Sequence, residues 1–396
     1  MMRFKTSITI KHDRLIPNKY SLLYFGAHLL FLLIMYLVPV LPYFTYDDLN
    51  IYSVYTIKDL SLDYFKTRQI FIYMCCYLNS WFPGEIINGP RLFNIVLFYF
   101  SIREVVRLCK IYGYDENTIR KITLFLIISP QYLIISCSMI KDVLTMYCVL
   151  RSVRGLLNFT DKEQQNMPWF CFVLIVLYFT RFGLLELIAI IFAITLIMKS
   201  KHKVVWLTLL SIVIAYGVYK ILANQNYVYL LNQKLDFMAS NKSTEEGFMN
   251  YLRINSPNQI YRLIFALPYM LLLGVPNIAG LYEPPLLWLN IIGFFSFITL
   301  FLLPSFYSRC ISIIKGKNKN ELMSLGYFAA YHILIALTSP SLFRYLFCIA
   351  PFFVIFSIRE LSVRELSDLT KNHNLKIAGG IFSLLYVLYL VIQLIR

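Results

Sequence analysis

Two neighbouring carboxylates, Asp47 and Asp48, stand in "LPYFTYDDLNIYSVY", residues 41 to 55, just past an apolar run that ends at Pro42. A carboxylate held beside a sugar hydroxyl works as a general base, typically worth about 10² to 10⁴ in rate. Side by side in a partly desolvated loop, two such groups repel when both are ionised, so one is biased toward keeping its proton. The groups that would complement them are mostly cationic: Arg91 in "NGPRLFN", Lys141 beside Asp142 in "SMIKD", Arg181 in "TRFG", Arg262 and Arg344, with Arg253 in an open polar stretch. Guanidinium groups bind phosphate through bidentate, charge-assisted hydrogen bonds and stay charged at any working pH. Together these types suit holding a phosphorylated lipid headgroup while a hydroxyl is deprotonated. Each also has a plainer role. The Asp pair fits a helix-terminating loop, Lys141 and Asp142 an ion pair at a helix start, and Arg181 and Arg344 side chains that snorkel toward headgroups. His332, inside "GYFAAYHILIAL", fits a hydrogen-bonded core histidine.

The elements that must position these groups are read from composition. The chain has 396 residues, 59% hydrophobic and 17% aromatic with 15% charged, and a mean hydropathy of +0.64, well outside the range of an ordinary soluble domain. The expected fold is therefore all-α, a polytopic transmembrane helical bundle of about eleven spans, between ten and thirteen, forming a single integral membrane domain over 1–396. The formal net charge of +16 does not point to nucleic acid, because the basic residues lie in short clusters between apolar runs, as cytoplasmic loops do. The eight cysteines show no ligand spacing or paired framework and are read as small core residues.

Basic residues Arg3, Lys5, Lys11, Arg14 and Lys19 precede the apolar run Leu22 to Leu41, which reads as an uncleaved first helix with the N-terminus cytoplasmic. Residues 43–90 then form the first outer loop, with an interfacial helix over Ile70 to Phe82. Further runs cover Leu92 to Leu108, Ile122 to Ser136 through Pro130, and Val143 to Leu157. Trp169 to Met198 is too short for two full spans and reads as two short helices meeting around residues 180–183. After Val204 to Ala223 comes a long outer loop, 224–262, and a re-entrant or interfacial element, 263–285, broken by Pro268, Gly274 and Pro276. Leu286 to Phe306, Leu322 to Thr338, Tyr345 to Ile358 and Ile377 to Ile395 complete the set, with "RCISIIKGKNK" and "RELSVRELSDLTKNHNLK" on the cytoplasmic side. No internal repeat is visible, and no P-loop, GxGxxG, HExxH or GxSxG motif occurs.

The order of "TYDDLNIY", "GPRLFNIV", "SPQYLIISCSMIKD" and "SPSLFRYLFCIAPFF" resembles the integral-membrane glycosyltransferases of the GT-C superfamily, over roughly the first 160 residues and the 339–353 region. The chain lacks the large soluble C-terminal domain of the sugar-transferring members. In size, aromatic- and isoleucine-rich composition, long outer loop and outer arginines it is similar instead to O-antigen polymerases of the Wzy type.

That resemblance implies a bacterial inner-membrane enzyme with a periplasmic site. It would transfer a growing glycan from an undecaprenyl pyrophosphate carrier to the terminal sugar of another carrier-linked repeat unit. Arg91, Lys141, Asp142, Arg181, Arg262 and Arg344 would bind substrate, and Asp47, Asp48 or His332 would activate the acceptor hydroxyl. The implied partners are the lipid-linked donor and acceptor, membrane lipid and a chain-length regulator, with no nucleic acid. No cofactor is assigned, since paired acids without a ligand set do not specify a metal. Three alternatives stay open: a transferase adding one sugar from an undecaprenyl phosphate donor, a flippase for lipid-linked oligosaccharides, and a structural membrane subunit. Charges gathered at outer helix ends, with no pseudo-symmetry, weigh against the flippase.

Overall fold

In the computed structural model the described residues are 16–37, 70–84, 86–161, 167–180, 184–199, scattered positions between 202 and 219, 302–316, 318–338 and 346–363. Every regular element among them is an α-helix. In chain order these are α1 (Asn18–Leu37), α2 (Ile70–Trp81), α3 (Gly89–Ile111), α4 (Glu116–Ile128), α5 (Pro130–Ser136), α6 (Asp142–Asp161), α7 (Met167–Thr180) and α8 (Leu184–Lys199). They are followed by α9 (302–316), α10 (Lys319–Thr338) and α11 (Ala350–Val363).

The expected all-helical class holds, but the eleven-span transmembrane bundle does not: among the described residues no helix is long and apolar enough to cross a membrane. In most of the described helices length and apolarity are separated. The most apolar elements, α7 and α8, have 14 and 16 residues, short of the roughly 20 that a bilayer core requires. The longer ones carry charge: α3 contains Arg91, Arg103, Glu104, Arg107 and Lys110, and α6 contains Asp142, Arg151 and Arg154. α10 opens on Lys319 and Glu321 and also carries His332. The "RCISIIKG" stretch read as a loop is the second half of α9. The long outer loop 224–262 and the element 263–285 lie outside the described residues.

Helix ends are set by local chemistry. Asn88, in extended backbone, caps α3 by accepting from the Arg91 amide at 3.1 Å, and Pro90 occupies the first turn, where a missing N–H costs nothing. α3 closes at Tyr112, and Gly113, at φ +76°, takes the left-handed turn that a side chain would disfavour. Two residues later Asp115 caps α4, its carboxylate accepting from the Thr118 amide (3.0 Å) and hydroxyl (2.7 Å). Pro130 then breaks α4 from α5 at Ser129.

α3 is the central element. It packs along α6, with α2, α4, α5 and α11 also against it. α1 is tied on by the Tyr24 hydroxyl, which donates to the Ile95 carbonyl at 2.6 Å. His28, also on α1 and buried, is hydrogen-bonded through Nδ1 to the Tyr24 carbonyl (2.8 Å) and through Nε2 to the Ser136 hydroxyl (2.7 Å). An aromatic stack fills the middle: Phe98 lies parallel to Tyr132 at 5.8 Å, and Tyr132 meets Phe347 at 5.2 Å. The "LFCI" turn, 346–349, is thereby pinned to α3 and α5. Six of the eight cysteines are buried in this packing, whereas Cys171 is exposed and Cys310 half-buried.

α2 and α3 approach each other closely at Gly89. A Cβ there would stand 2.1 Å from the Leu78 carbonyl oxygen, so α2 and α3 can meet only over a glycine. Gly89→Ala is expected to lower stability by about 1 to 3 kcal/mol through overpacking. Gly326→Ala, at a helical position with nothing within 4 Å of the new Cβ, is expected to raise it by about 0.5 to 1 kcal/mol. Thermal unfolding of the two purified variants beside the parent checks the opposite signs.

Candidate functional site

α3 and α6 begin at the same end of the bundle, and there the sequence-derived cations and acid come together. The Asn94 side-chain amide donates to two main-chain carbonyls of the α5–α6 turn, Ser138 at 2.7 Å and Ile140 at 3.0 Å. The Asn88 amide donates to the Gly84 carbonyl (3.2 Å) and to the Met139 sulfur (3.3 Å). Between them Arg91 is wholly buried, one Nη1 donating to the Ile86 carbonyl at 2.9 Å, and its positive charge reaches Cys137. Asp142, also buried, sits in the first turn of α6, and Lys141 beside it is half-buried.

Arg91 therefore acts from beneath the α2–α3 turn, while Lys141 approaches the surface. Two helix N-termini add their positive ends to the same region, which favours an anion there. The structure brings together Arg91, Lys141 and Asp142. Asp47, Asp48, Arg181, Arg262 and Arg344, with Arg253, lie outside the described residues.

His332 belongs elsewhere. It is buried on α10 with its ring edge-on to Phe328 at 5.9 Å. Eleven residues separate it from Glu321, roughly 16 Å of helix, whereas Arg91 stands roughly 30 Å along α3 from Tyr112. Since Tyr112 and Tyr114 meet α10 at Ser324 and Glu321, His332 stops roughly 15 Å short of the Arg91 level even if α10 runs alongside α3.

The far end of α3 holds a second polar cluster that the sequence did not single out. Glu321, buried, accepts from the Tyr114 hydroxyl at 2.5 Å and from one Arg309 nitrogen at 2.6 and 2.9 Å. Tyr112 donates to the Ser324 hydroxyl at 2.6 Å. Arg359 donates to Asp115 at 2.7 Å and lies over the Tyr114 ring, 5.0 Å from its centre. Burial, and then the Glu321 charge, push the Tyr114 phenol well up, so it keeps its proton and donates it to Glu321. On the neighbouring α3–α6 face, Glu104 is gripped by Arg154 and, at 2.6 Å, by Arg107. The partners are 50 to 244 residues apart in most of these contacts, so local spacing carried no signal of them. Among the described residues no three potential metal-ligating side chains come together.

Comparison of the chain with family profiles, curated proteins and solved structures finds no match.

The two ionic contacts of the far cluster differ in burial, and this sets their expected weights. Glu321→Gln breaks a buried pair and is expected to cost about 3 to 5 kcal/mol, with the double variant Glu321→Gln/Arg309→Met recovering part of it. Arg359→Gln, losing a pair whose acid is 55% exposed, is expected to cost under about 1 kcal/mol. Asp115 titrates with a defined sign. Its hydrogen bond from the Thr118 hydroxyl, and next the one from the Thr118 amide, hold its carboxyl below the usual range. The stability it adds is present above the unfolded-state value and is lost as pH falls through the folded-state value. Asp115→Ala is thus expected to destabilise at neutral pH by about 1 kcal/mol, as for other N-caps, and to be near neutral once the parent's carboxyl is protonated. Unfolding midpoints measured across an acid pH series check this.

Proposed function

We propose that this chain is a glycosyltransferase that extends a surface glycan by joining repeat units carried on polyprenyl pyrophosphate, with the donor phosphates held where α3 and α6 begin. The observation that carries the reading is the convergence there of the buried Arg91, half-buried Lys141 and buried Asp142 at the starts of two helices fastened by Asn94. Cationic side chains and helix N-termini favour a pyrophosphate both as bound donor and as leaving group, whose charge grows as the glycosidic bond breaks. In the transfer, the acceptor hydroxyl oxygen attacks the anomeric carbon and the carbon–oxygen bond to the pyrophosphate breaks. The hydroxyl proton passes to a carboxylate, the role proposed for Asp47 or Asp48, and the polyprenyl pyrophosphate departs.

Residence at the bacterial inner membrane, with the site on the periplasmic side, belongs to the same proposal. It is supported by the apolar composition and by large apolar side chains on the outside of the bundle, among them Leu22, Leu29 and Leu30 of α1 and Trp81 and Phe82 at the end of α2. Such surfaces favour contact with lipid over water.

The test is the glycan ladder of cells carrying single variants. Lys141→Gln and the double variant Asp47→Ala/Asp48→Ala are expected to reach wild-type protein levels yet leave surface glycan capped by a single repeat unit, with chain extension reduced by about 10² or more for the carboxylate pair. Full-length ladders from both variants would overturn the reading, and a glycan shortened by one sugar at every length would replace polymerisation with single-sugar transfer.

A further inference from the structure

A cavity of about 440 Å³ opens on the flank of the bundle between α2, α3, α6 and α7. Its walls are almost wholly apolar, with Val96 and Phe100 of α3, Leu144 and Tyr147 of α6, and Trp169 and Phe172 of α7 among them. Its rim stands in the open: Val96, Phe100, Trp169 and Phe172 are exposed despite their size. Water gains little in such a slot, whereas a hydrocarbon chain fills it favourably.

One end of the cavity is strongly cationic. The Trp169 indole donates a hydrogen bond to the Tyr147 hydroxyl, and the charges of Glu104 and Arg151 both act on that tyrosine. Arg151 follows one helical turn after Tyr147 on the same face of α6. It is only 7% exposed, and its Nη1 has no hydrogen-bond partner among the described residues. Arg107 and Arg154 bind Glu104 beside it. The Arg103 guanidinium lies 5.6 Å from the centre of the Phe100 ring, which itself lines the cavity. Among the described residues Arg107, Arg151 and Arg154 stand around the one carboxylate of Glu104, which leaves a surplus of positive charge, and the Arg151 Nη1 is buried there without an acceptor. A buried guanidinium nitrogen left in that state is costly, and an anion that supplies the acceptor removes the cost.

We propose that this flank binds one anionic membrane phospholipid, its acyl chain in the cavity and its phosphate against Arg151 and the neighbouring arginines. A single amphiphile meets both demands at once, the apolar slot and the unmatched charge adjoining it. Arg103 and Arg107 lie 12 and 16 residues along α3 from Arg91, roughly 18 to 24 Å. The lipid site is therefore separate from the end proposed to hold the donor phosphates, and it does not rest on the transfer reading.

Purified full-length protein in detergent micelles doped with phosphatidylglycerol bearing a diazirine at the tail end tests the proposal. Irradiation followed by peptide mapping is expected to place the label within 96–100 and 169–176. Phosphatidylcholine with the same tail keeps the phosphate but adds a choline cation that the arginine cluster repels, and is expected to label about tenfold less. Val96→Trp, which fills the mouth of the slot from an exposed position, and Arg107→Gln, at a half-exposed one, are each expected to cut labelling severalfold. Val96→Trp should leave the unfolding temperature near the parent's, so it keeps the test open where an arginine variant does not fold. Equal labelling by the two lipids, label placed elsewhere on the chain, or labelling indifferent to Val96→Trp would each overturn the proposal.

Discussion

The Asn94 side-chain amide spends both of its N–H donors on carbonyls of the α5–α6 turn, at Ser138 and Ile140. Those carbonyls belong to the connection between two helices and have no ladder of their own, so without Asn94 they would be buried and unmatched. The two bonds fix the start of α6 against the first turns of α3, and the Arg91–Asp142 region follows from that register. Asn88 works in the same direction, capping α3 while reaching Gly84 and Met139. His28 extends the arrangement to α1 through Ser136, the last residue of α5. A chain of polar contacts thus crosses four helices at one end of an otherwise apolar bundle.

The opposite end is organised on the same physical rule with different groups. There the buried Glu321 carboxylate is matched by a phenol and a guanidinium, joining the α3–α4 turn to α9 and α10, and Glu360 on α11 accepts from Ser308 of α9 at 2.7 Å. A buried charge is tolerated only when its lone pairs are taken up, and here two donors meet one carboxylate. Between the two ends the interior is aromatic and aliphatic, with Phe98, Tyr132 and Phe347 at its centre. Among the described residues the polar clusters therefore lie at the ends and on the flank where Arg151 adjoins an apolar slot.

The helices themselves were largely legible, because apolar runs and breakers are local signals. Pro130 divides α4 from α5, and α7 ends at Thr180 with α8 beginning at Leu184, as two short helices there require. The membrane-crossing reading went wrong because mean hydropathy sums over the chain, whereas a span requires length and apolarity in the same helix. The charge rule also misplaced α9: it marks "RCISIIKG" as a basic loop, yet Arg309 is drawn into a helix by Glu321, a partner that follows in the next helix. Helix starts at Arg91 and at Asp142 are readable from the sequence, but not that Asn94 ties the two starts to each other across 44 residues. Pairings at such separations, Glu104 with Arg154 and Tyr114 with Glu321 among them, are decided by packing and leave no trace in spacing.

The account rests on the region around Arg91, Lys141 and Asp142 holding a pyrophosphate-linked glycan donor for transfer. The most direct measurement is the reaction of purified full-length protein with a polyprenyl-pyrophosphate-linked repeat unit, following glycan length and free polyprenyl pyrophosphate together. The account predicts lengthening chains and carrier released in step with each new glycosidic bond. Carrier-linked repeat units that remain single while the protein stays folded, or carrier released by hydrolysis with no chain growth, would contradict it.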